Sequence, residues 1–193
     1  KAASHHCKPL VAHIHATELD RTNFSPNQWI YDRERFGFEA ADRIIAVSDY
    51  TKGILVNHYG IPSDKIHVVH NGSEDTYQPE HIQSIHAETK ASQKQMILFL
   101  GRLALQKGPC QFLEMASMVH RMKPDVQFVM AGDGHMLSEL VERAMDLGLQ
   151  NNIIFAGKVN SNEARQLYKQ ASCFVMPSLS EPFGLVALEA ISQ

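Results

Sequence analysis

The sequence predicts an α/β fold built from parts of two Rossmann-like parallel-sheet domains joined by a linker. Three observations predict it. Short apolar or β-branched runs alternate with helical patterns of roughly 10–15 residues, which is the signature of βαβ units and a parallel sheet. The alternation occurs twice along the chain. Between the two series, from Ser73 to Gln95, only Tyr77, Ile82, Ile85, Ala87 and Ala91 are apolar, the composition of an exposed connection. The expected domains are therefore 1–72, a linker at 73–95, and 96–193.

In the first series, Pro9 to Ala16 reads as a strand, rich in β-branched and apolar residues. Pro26 to Ala41 reads as a helix with Ile30, Phe36, Phe38 and Ala41 available for burial. Arg43 to Val47 is a short buried strand. Ser48 is a natural N-cap and Asp49 adds an acidic first turn to the helix that follows. That helix ends near Tyr59-Gly60, and Pro62 prevents its continuation. Lys65 to His70 is a further strand, closed by the turn pair Asn71-Gly72.

In the second series, Met96 to Leu100 (MILFL) is a continuous apolar run, as expected of a strand covered on both faces. A helix is expected over 109–122, a strand over 126–131, a helix over 136–147 and a strand over 152–156. A helix over 162–170 and a strand over 171–176 follow. A last helix begins near Leu185.

Composition excludes several classes. Of 193 residues, 44% are hydrophobic, 20% charged and 8% aromatic, close to a globular average and far from a disordered chain. No apolar run approaches the roughly 18 residues of a membrane-spanning helix. The net charge of −3 is evenly spread, without the basic footprint of a nucleic-acid binder or a polybasic membrane surface. The three cysteines, Cys7, Cys110 and Cys173, are odd in number and far apart, which argues against a disulfide scaffold and for a reducing compartment.

In parallel α/β sheets ligands bind at the carboxyl ends of strands, and four strand ends stand out. After MILFL come Gly101-Arg102 and Lys107-Gly108-Pro109. Gly108 suits the N-cap and Pro109 the first helical position. Two cations beside a helix N-terminus suit an anion such as a diphosphate, although two solvated loop charges would give the same letters. The second is Ala131-Gly132-Asp133-Gly134, which has two glycines of a dinucleotide fingerprint but Leu137 in place of the third. It reads as a tight turn that still admits close ligand approach. The third is Glu181 to Glu189 (EPFGLVALE), a loop glutamate followed by a helix start and, one turn on, a second glutamate. The fourth is His13-Ile14-His15, two histidines on one face of a strand. With His5, His6 and Cys7 they contain the residue types of a zinc site, but the spacing matches no standard one.

The combination G-R-x4-K-G (Gly101 to Gly108), a G-x-G turn one unit later, and E-P-F-G-L-x3-E resembles the donor half of the retaining family 4 glycosyltransferases. Earlier segments match too: the strand ending in His15, Ala46-Val47-Ser48, and Val69-His70-Asn71-Gly72, where the family usually has Pro in place of His70. His13 to Arg21 and GRLALQKG are similar to bacterial glycogen-synthase-like members. The resemblance spans nearly the whole chain. It implies the GT-B fold, two Rossmann-like domains facing across a cleft.

It further implies transfer of a glycosyl group from a nucleotide sugar to a hydroxyl of a glycan, polysaccharide or small molecule, with retention of anomeric configuration. By resemblance, His15 and Glu181 are the catalytic-site residues, His15 at the reacting sugar and Glu181 on the donor sugar hydroxyls. Arg102, Lys107, Phe183, Gly184 and Leu185 hold the diphosphate end of the donor. Gly132, Gly134, Lys158, Val159 and Glu189 line the nucleoside, with Glu189 on the ribose hydroxyls.

No Asp-x-Asp occurs in the chain, so no metal and no cofactor is expected, and the donor is expected to be a UDP- or ADP-sugar rather than a GDP-sugar. The carboxylate pair of a glycosidase is not expected, because Glu189 sits within a helix. The alternatives are another GT-B protein, a phosphorylase or sugar-nucleotide epimerase, or a non-catalytic nucleotide-sugar-binding domain. Lys1 at the start and Ala190-Ile191-Ser192-Gln193 at the end of an apolar pattern lead to the expectation of an internal fragment of a longer, cytoplasmic protein. Such a fragment is not expected to turn over substrate alone. Peripheral membrane contact would belong to the missing N-terminal part.

Overall fold

The computed structural model describes residues 8–72 and 95–193. His5, His6, Cys7 and the polar segment expected to be the linker lie outside them, apart from Gln95. The chain divides into two compact units. One is Lys1–Gly72 together with Ser180–Gly184, the other Ser73–Leu179 together with Leu185–Gln193.

The first unit contains strand β1 (Val11–Ile14), the short helix α1 (Glu18–Arg21), α2 (Gln28–Ala40), β2 (Arg43–Ala46), α3 (Asp49–Asn57) and β3 (Ile66–Val68). The three strands form a parallel sheet in the order β1-β2-β3. Ile14, Ile44, Ala46 and Ile66 bury one face of it against Leu19, Phe38, Ile54, Leu55, Tyr59 and Ile61. Residues of the opposite parity, Val11, His13 and His67, are exposed among the described residues. As expected, Ser48 caps α3, its Oγ accepting from the Thr51 amide at 3.1 Å. Asn27 caps α2 in the same way.

Two expectations need correction here. Phe36 is 70% exposed, whereas Phe38 and Ala41 are buried. Phe36 and Phe38 are two residues apart, about 200° around the helix, so one face cannot hold both. The helix α1 was also not anticipated. It is one turn long, too short for a hydrophobic period, and it is held by a capping box. Thr17 Oγ1 accepts from the Asp20 amide, while the Asp20 carboxylate accepts from the Thr17 amide at 2.7 Å.

That turn builds a buried polar network. Asp20 is fully buried. Its Oδ2 also accepts from Thr17 Oγ1 at 2.9 Å, and its Oδ1 accepts from Ser180 Oγ at 2.8 Å. Glu34 accepts from the Glu18 amide at 2.8 Å, from the Tyr59 hydroxyl at 2.6 Å and from Arg21 Nη2 at 2.6 Å. Burial, then the hydrogen bond to Glu34, push the Tyr59 phenol well above its ordinary range, which keeps it a donor.

The second unit contains β4 (Met96–Leu100), α4 (Pro109–Met122), β5 (Gln127–Ala131), α5 (Leu137–Asp146), β6 (Ile153–Gly157), α6 (Ser161–Gln170), β7 (Cys173–Phe174) and α7 (Leu185–Ile191). The strands are all parallel, in the order β6-β5-β4-β7. The sheet is covered on both faces, as MILFL required. Phe99, Phe128 and Met130 pack with Phe112, Leu113 and Ala116 of α4 and Leu140 and Ala144 of α5. Leu98, Val129 and Ala131 pack with Tyr168 and Leu167 of α6 and Ala190 of α7. The strand expected over 171–176 is shorter as a ladder: Cys173 and Phe174 pair with Ile97 and Leu98, flanked by bonds from Ser172 N to Met96 O at 2.8 Å and Val175 N to Leu98 O at 2.9 Å.

The carboxyl ends of this sheet are tied to one another. The Gly101 amide donates to Ala131 O at 3.0 Å, Leu103 N to Asp133 O at 2.9 Å, Gly132 N to Gly157 O at 2.8 Å, and Leu179 N to Gln106 O at 2.9 Å. The contact between the loops after β4 and β5 is backbone on backbone. A Cβ on Gly132, whose φ is +139°, would lie 1.8 Å from Gly101 O.

Two stability predictions follow from this packing. Gly132→Ala combines a left-handed φ with a backbone clash, and is expected to destabilise the fold by at least about 3 kcal/mol in urea unfolding. Asp20→Ala strands three buried donor bonds and is expected to cost about 2–4 kcal/mol. Asp20→Asn is expected to cost less and Ser180→Ala only about 1 kcal/mol. The reverse order in the same denaturation experiment would contradict the role given to Asp20.

Candidate functional site

In the second unit, β5 and β6 lie on one side of β4 and β7 on the other. The chain's winding direction therefore reverses between β4 and β7, the topological switch point at which open α/β sheets bind ligands. The loop leaving β4 carries Arg102 and Lys107. Leu103, 1% exposed, anchors it in the core, and Arg102 beside it is exposed. Lys107 ends a 3-10 turn, Leu105–Lys107, directly before Gly108.

Gly108 is the N-cap of α4 in left-handed conformation, with Pro109 in the first turn, as the sequence predicts. Among the described residues no side chain caps this helix, and a helix N-terminus presents amides and a dipole that suit an anion. The glycine is obligatory. A Cβ there would stand 2.0 Å from Pro177 O, in the loop that leaves β7. The loops on the two sides of the switch point are thus in contact.

Gly132 and Gly134 follow β5. Both are needed for close packing, Gly134 because a Cβ would lie 2.2 Å from Leu103 O. Lys158 and Val159 follow β6. Lys158 is exposed and Val159 packs against Leu98 and its neighbours. Six of the residues expected at the donor, Arg102, Lys107, Gly132, Gly134, Lys158 and Val159, are therefore gathered on adjoining strand-end loops.

Leu185 opens α7, and Glu189 lies one turn along it. The Glu189 side chain is exposed at one end of a hydrogen bond that the sequence did not signal. The Tyr168 hydroxyl donates toward Glu189 Oε2 at 3.3 Å and Val186 O at 3.2 Å. Twenty-one residues separate the two partners, beyond any local pattern.

In the first unit, His15 follows β1 at its carboxyl end and is exposed. Its ring centroid is 4.3 Å from that of His13, so the two histidines do share a face. Glu181 is half-buried between the buried Ser180 and Pro182. Phe183 lies with its ring centroid 5.7 Å from His70, and Gly184 has a φ of +85°. Asp20, through Ser180, anchors this short segment within the unit. Sequence reasoning missed Asp20, whose capping box is written Thr-x-x-Asp instead of the usual Thr-x-x-Glu.

Among the described residues no three of His, Cys, Asp and Glu converge on a point that would hold a metal. Cys110 and Cys173 are free thiols, and burial pushes the Cys110 thiol up, away from reactivity. No helix of the described residues is long and apolar enough to cross a membrane.

Comparison with known proteins bears on the family and the fold. Residues 81–193 match the family Glycosyl transferases group 1, and residues 1–76 match Glycosyltransferase Family 4. An uncharacterized glycosyltransferase of Methanocaldococcus jannaschii is 32% identical over 97% of this chain and 50% of its own length. The alpha-maltose-1-phosphate synthase of Mycolicibacterium smegmatis is 32% identical over 88% of this chain and 45% of its own.

Among solved structures, Anabaena HepE in complex with UDP-glucose superposes with a TM-score of 0.78 at 24% identity. It covers 99% of this chain and 53% of that protein. Sucrose-phosphate synthase of Thermosynechococcus elongatus gives a TM-score of 0.76 at 20% identity, covering 94% and 47%. The chain spans about half the length of the curated relatives it matches. Its parallel α/β sheets are those of the GT-B class. The chain belongs to the group 1 glycosyltransferases, and its first 76 residues carry the family 4 pattern.

Proposed function

We propose that the protein carrying this chain transfers a sugar from a nucleoside-diphosphate donor to a hydroxyl acceptor with retention of anomeric configuration and without a metal. The observation that carries the reading is the pair Arg102 and Lys107 at the switch point, beside the N-terminus of α4, where no side chain of the described residues forms a cap. Breaking the bond between the anomeric carbon and the diphosphate oxygen leaves negative charge on the diphosphate. Cations and amides fixed in place before the reaction stabilise that charge most where it develops. The loop that bears them is already ordered by its neighbours, so little reorganisation is required.

In this reading the acceptor oxygen bonds to the anomeric carbon on the face the diphosphate leaves. The acceptor proton passes to the departing diphosphate oxygen. Glu181 accepts hydrogen bonds from donor-sugar hydroxyls and His15 contacts the reacting sugar. Phe183, Gly184 and Leu185 offer backbone amides to sugar and phosphate. Gly132, Gly134, Lys158 and Val159 line the nucleoside, and Glu189 grips the ribose. A UDP- or ADP-sugar is the proposed donor. The UDP-glucose complex of HepE supports the uridine choice. The proposed compartment is the cytoplasm, where the free thiols Cys110 and Cys173 stay reduced.

Two experiments on the full-length protein test this. Lys107→Ala is expected to lower turnover by about 100-fold or more while the protein still folds. Unchanged turnover would sink the assignment. EDTA is expected to leave transfer unaffected; loss of activity on chelation, restored by Mn²⁺, would refute the metal-free part alone.

A further inference from the structure

We infer that Tyr168 is a positioning residue for donor binding, its hydroxyl fixing the Glu189 carboxylate in the orientation that receives the ribose hydroxyls. The inference rests on the reading of Glu189 as the ribose ligand and extends it to a residue outside every motif described above.

The Tyr168 ring belongs to the core of the second unit. It is 8% exposed, packs with Leu98, Val129 and Ala131, and stands edge-on to Phe174 with centroids 5.4 Å apart. The ring position is therefore set by the sheet. Its hydroxyl reaches α7, where Val186 O and Glu189 Oε2 lie at 3.2 and 3.3 Å. Val186 and Glu189 are three residues apart on one helical face, so one phenol proton is shared between a backbone carbonyl and a carboxylate.

The sense of the bond is fixed. Burial first, and the negative charge of Glu189 second, raise the phenol far above its ordinary range, so Tyr168 stays protonated and donates. Glu189 is the acceptor and remains exposed. A carboxylate has about four acceptor sites, and Tyr168 occupies one. The others keep their capacity for ligand hydroxyls. A glutamate on an exposed helix face otherwise samples several rotamers, and ordering it on binding costs affinity. Tying one oxygen to a core phenol removes part of that cost.

The inference is separable from a merely structural role, because a bond that only docks α7 has no reason to sense the ribose. The test measures binding to the full-length protein by calorimetry, using UDP or ADP, whichever the unaltered protein binds more tightly, and its 2′,3′-dideoxy analogue. Tyr168→Phe keeps the ring and its packing and removes only the hydroxyl. It is expected to weaken the ribonucleotide about three- to tenfold, to leave the dideoxy analogue unchanged, and to have no further effect in a Glu189→Ala background. Donor KM is expected to rise with kcat nearly constant.

Equal affinity of Tyr168→Phe and the unaltered protein for the ribonucleotide overturns the inference. Equal weakening of both nucleotides does the same, and returns Tyr168 to a packing role. If Glu189→Ala leaves ribonucleotide binding unchanged, the ribose assignment of Glu189 itself fails and takes the inference with it. Failure of the unaltered protein to bind either nucleotide would instead overturn the donor reading as a whole.

Discussion

The second sheet is organised around backbone-to-backbone contact at its carboxyl ends. Carbonyls of Gly101, Leu103 and Pro177 occupy the volume where Gly132, Gly134 and Gly108 would carry a Cβ. Glycine costs conformational entropy on folding. Here the cost is offset by hydrogen bonds that join the loops in pairs, Gly101 to Ala131 and Gly132 to Gly157. The stretch bearing Arg102 is thereby held by the loop after β5, and the turn bearing Lys107 by the loop after β7. Their backbones are ordered before any ligand arrives, which lowers the cost of binding an anion. Loosening the contact would leave the charges in the sequence but remove the frame that aims them.

Much of the fold was legible because parallel strands covered on both faces are written as unbroken apolar runs. MILFL has Leu98 in one core and Phe99 in the other, as a period of two dictates. Capping was legible at Ser48 and at Gly108-Pro109 because the residue types there are constrained by unpaired amides. What failed depended on facing or on length. Phe36 could be counted as apolar but not assigned a face without the helix phase. The extent of β7 does not follow its own apolar run, since its ladder covers only Cys173 and Phe174 of the segment 171–176. The turn Glu18–Arg21 is too short for periodicity, and its buried carboxylates look like surface charges until their donors are known.

The site was legible to a similar depth. Residues that recur at strand ends, Arg102, Lys107 and the glycines, could be placed because topology alone sends such positions to one edge of the sheet. The two explanations offered for the glycines, a tight turn or close approach, turn out to concern the same fact. The backbone does come close, and what it approaches in this fold is the neighbouring loop. Partners far apart in sequence were invisible. Asp20 and Ser180 are 160 residues apart, and Tyr168 and Glu189 are 21 apart. No composition or spacing argument connects them.

The carboxylates of the two units illustrate why residue type alone is a poor guide to role. Asp20 and Glu34 each accept from three internal donors, and Asp20 has no exposed surface. Most of the acceptor capacity of each is taken up within the unit, and a ligand hydroxyl would compete with donors already in place. Glu189 is held by one phenol, on the surface of a helix, with most of its acceptor capacity turned outward. A carboxylate of the first kind stabilises a fold. One of the second kind is oriented yet unsaturated, which is the condition for recognising hydroxyl groups with little loss of side-chain freedom on binding.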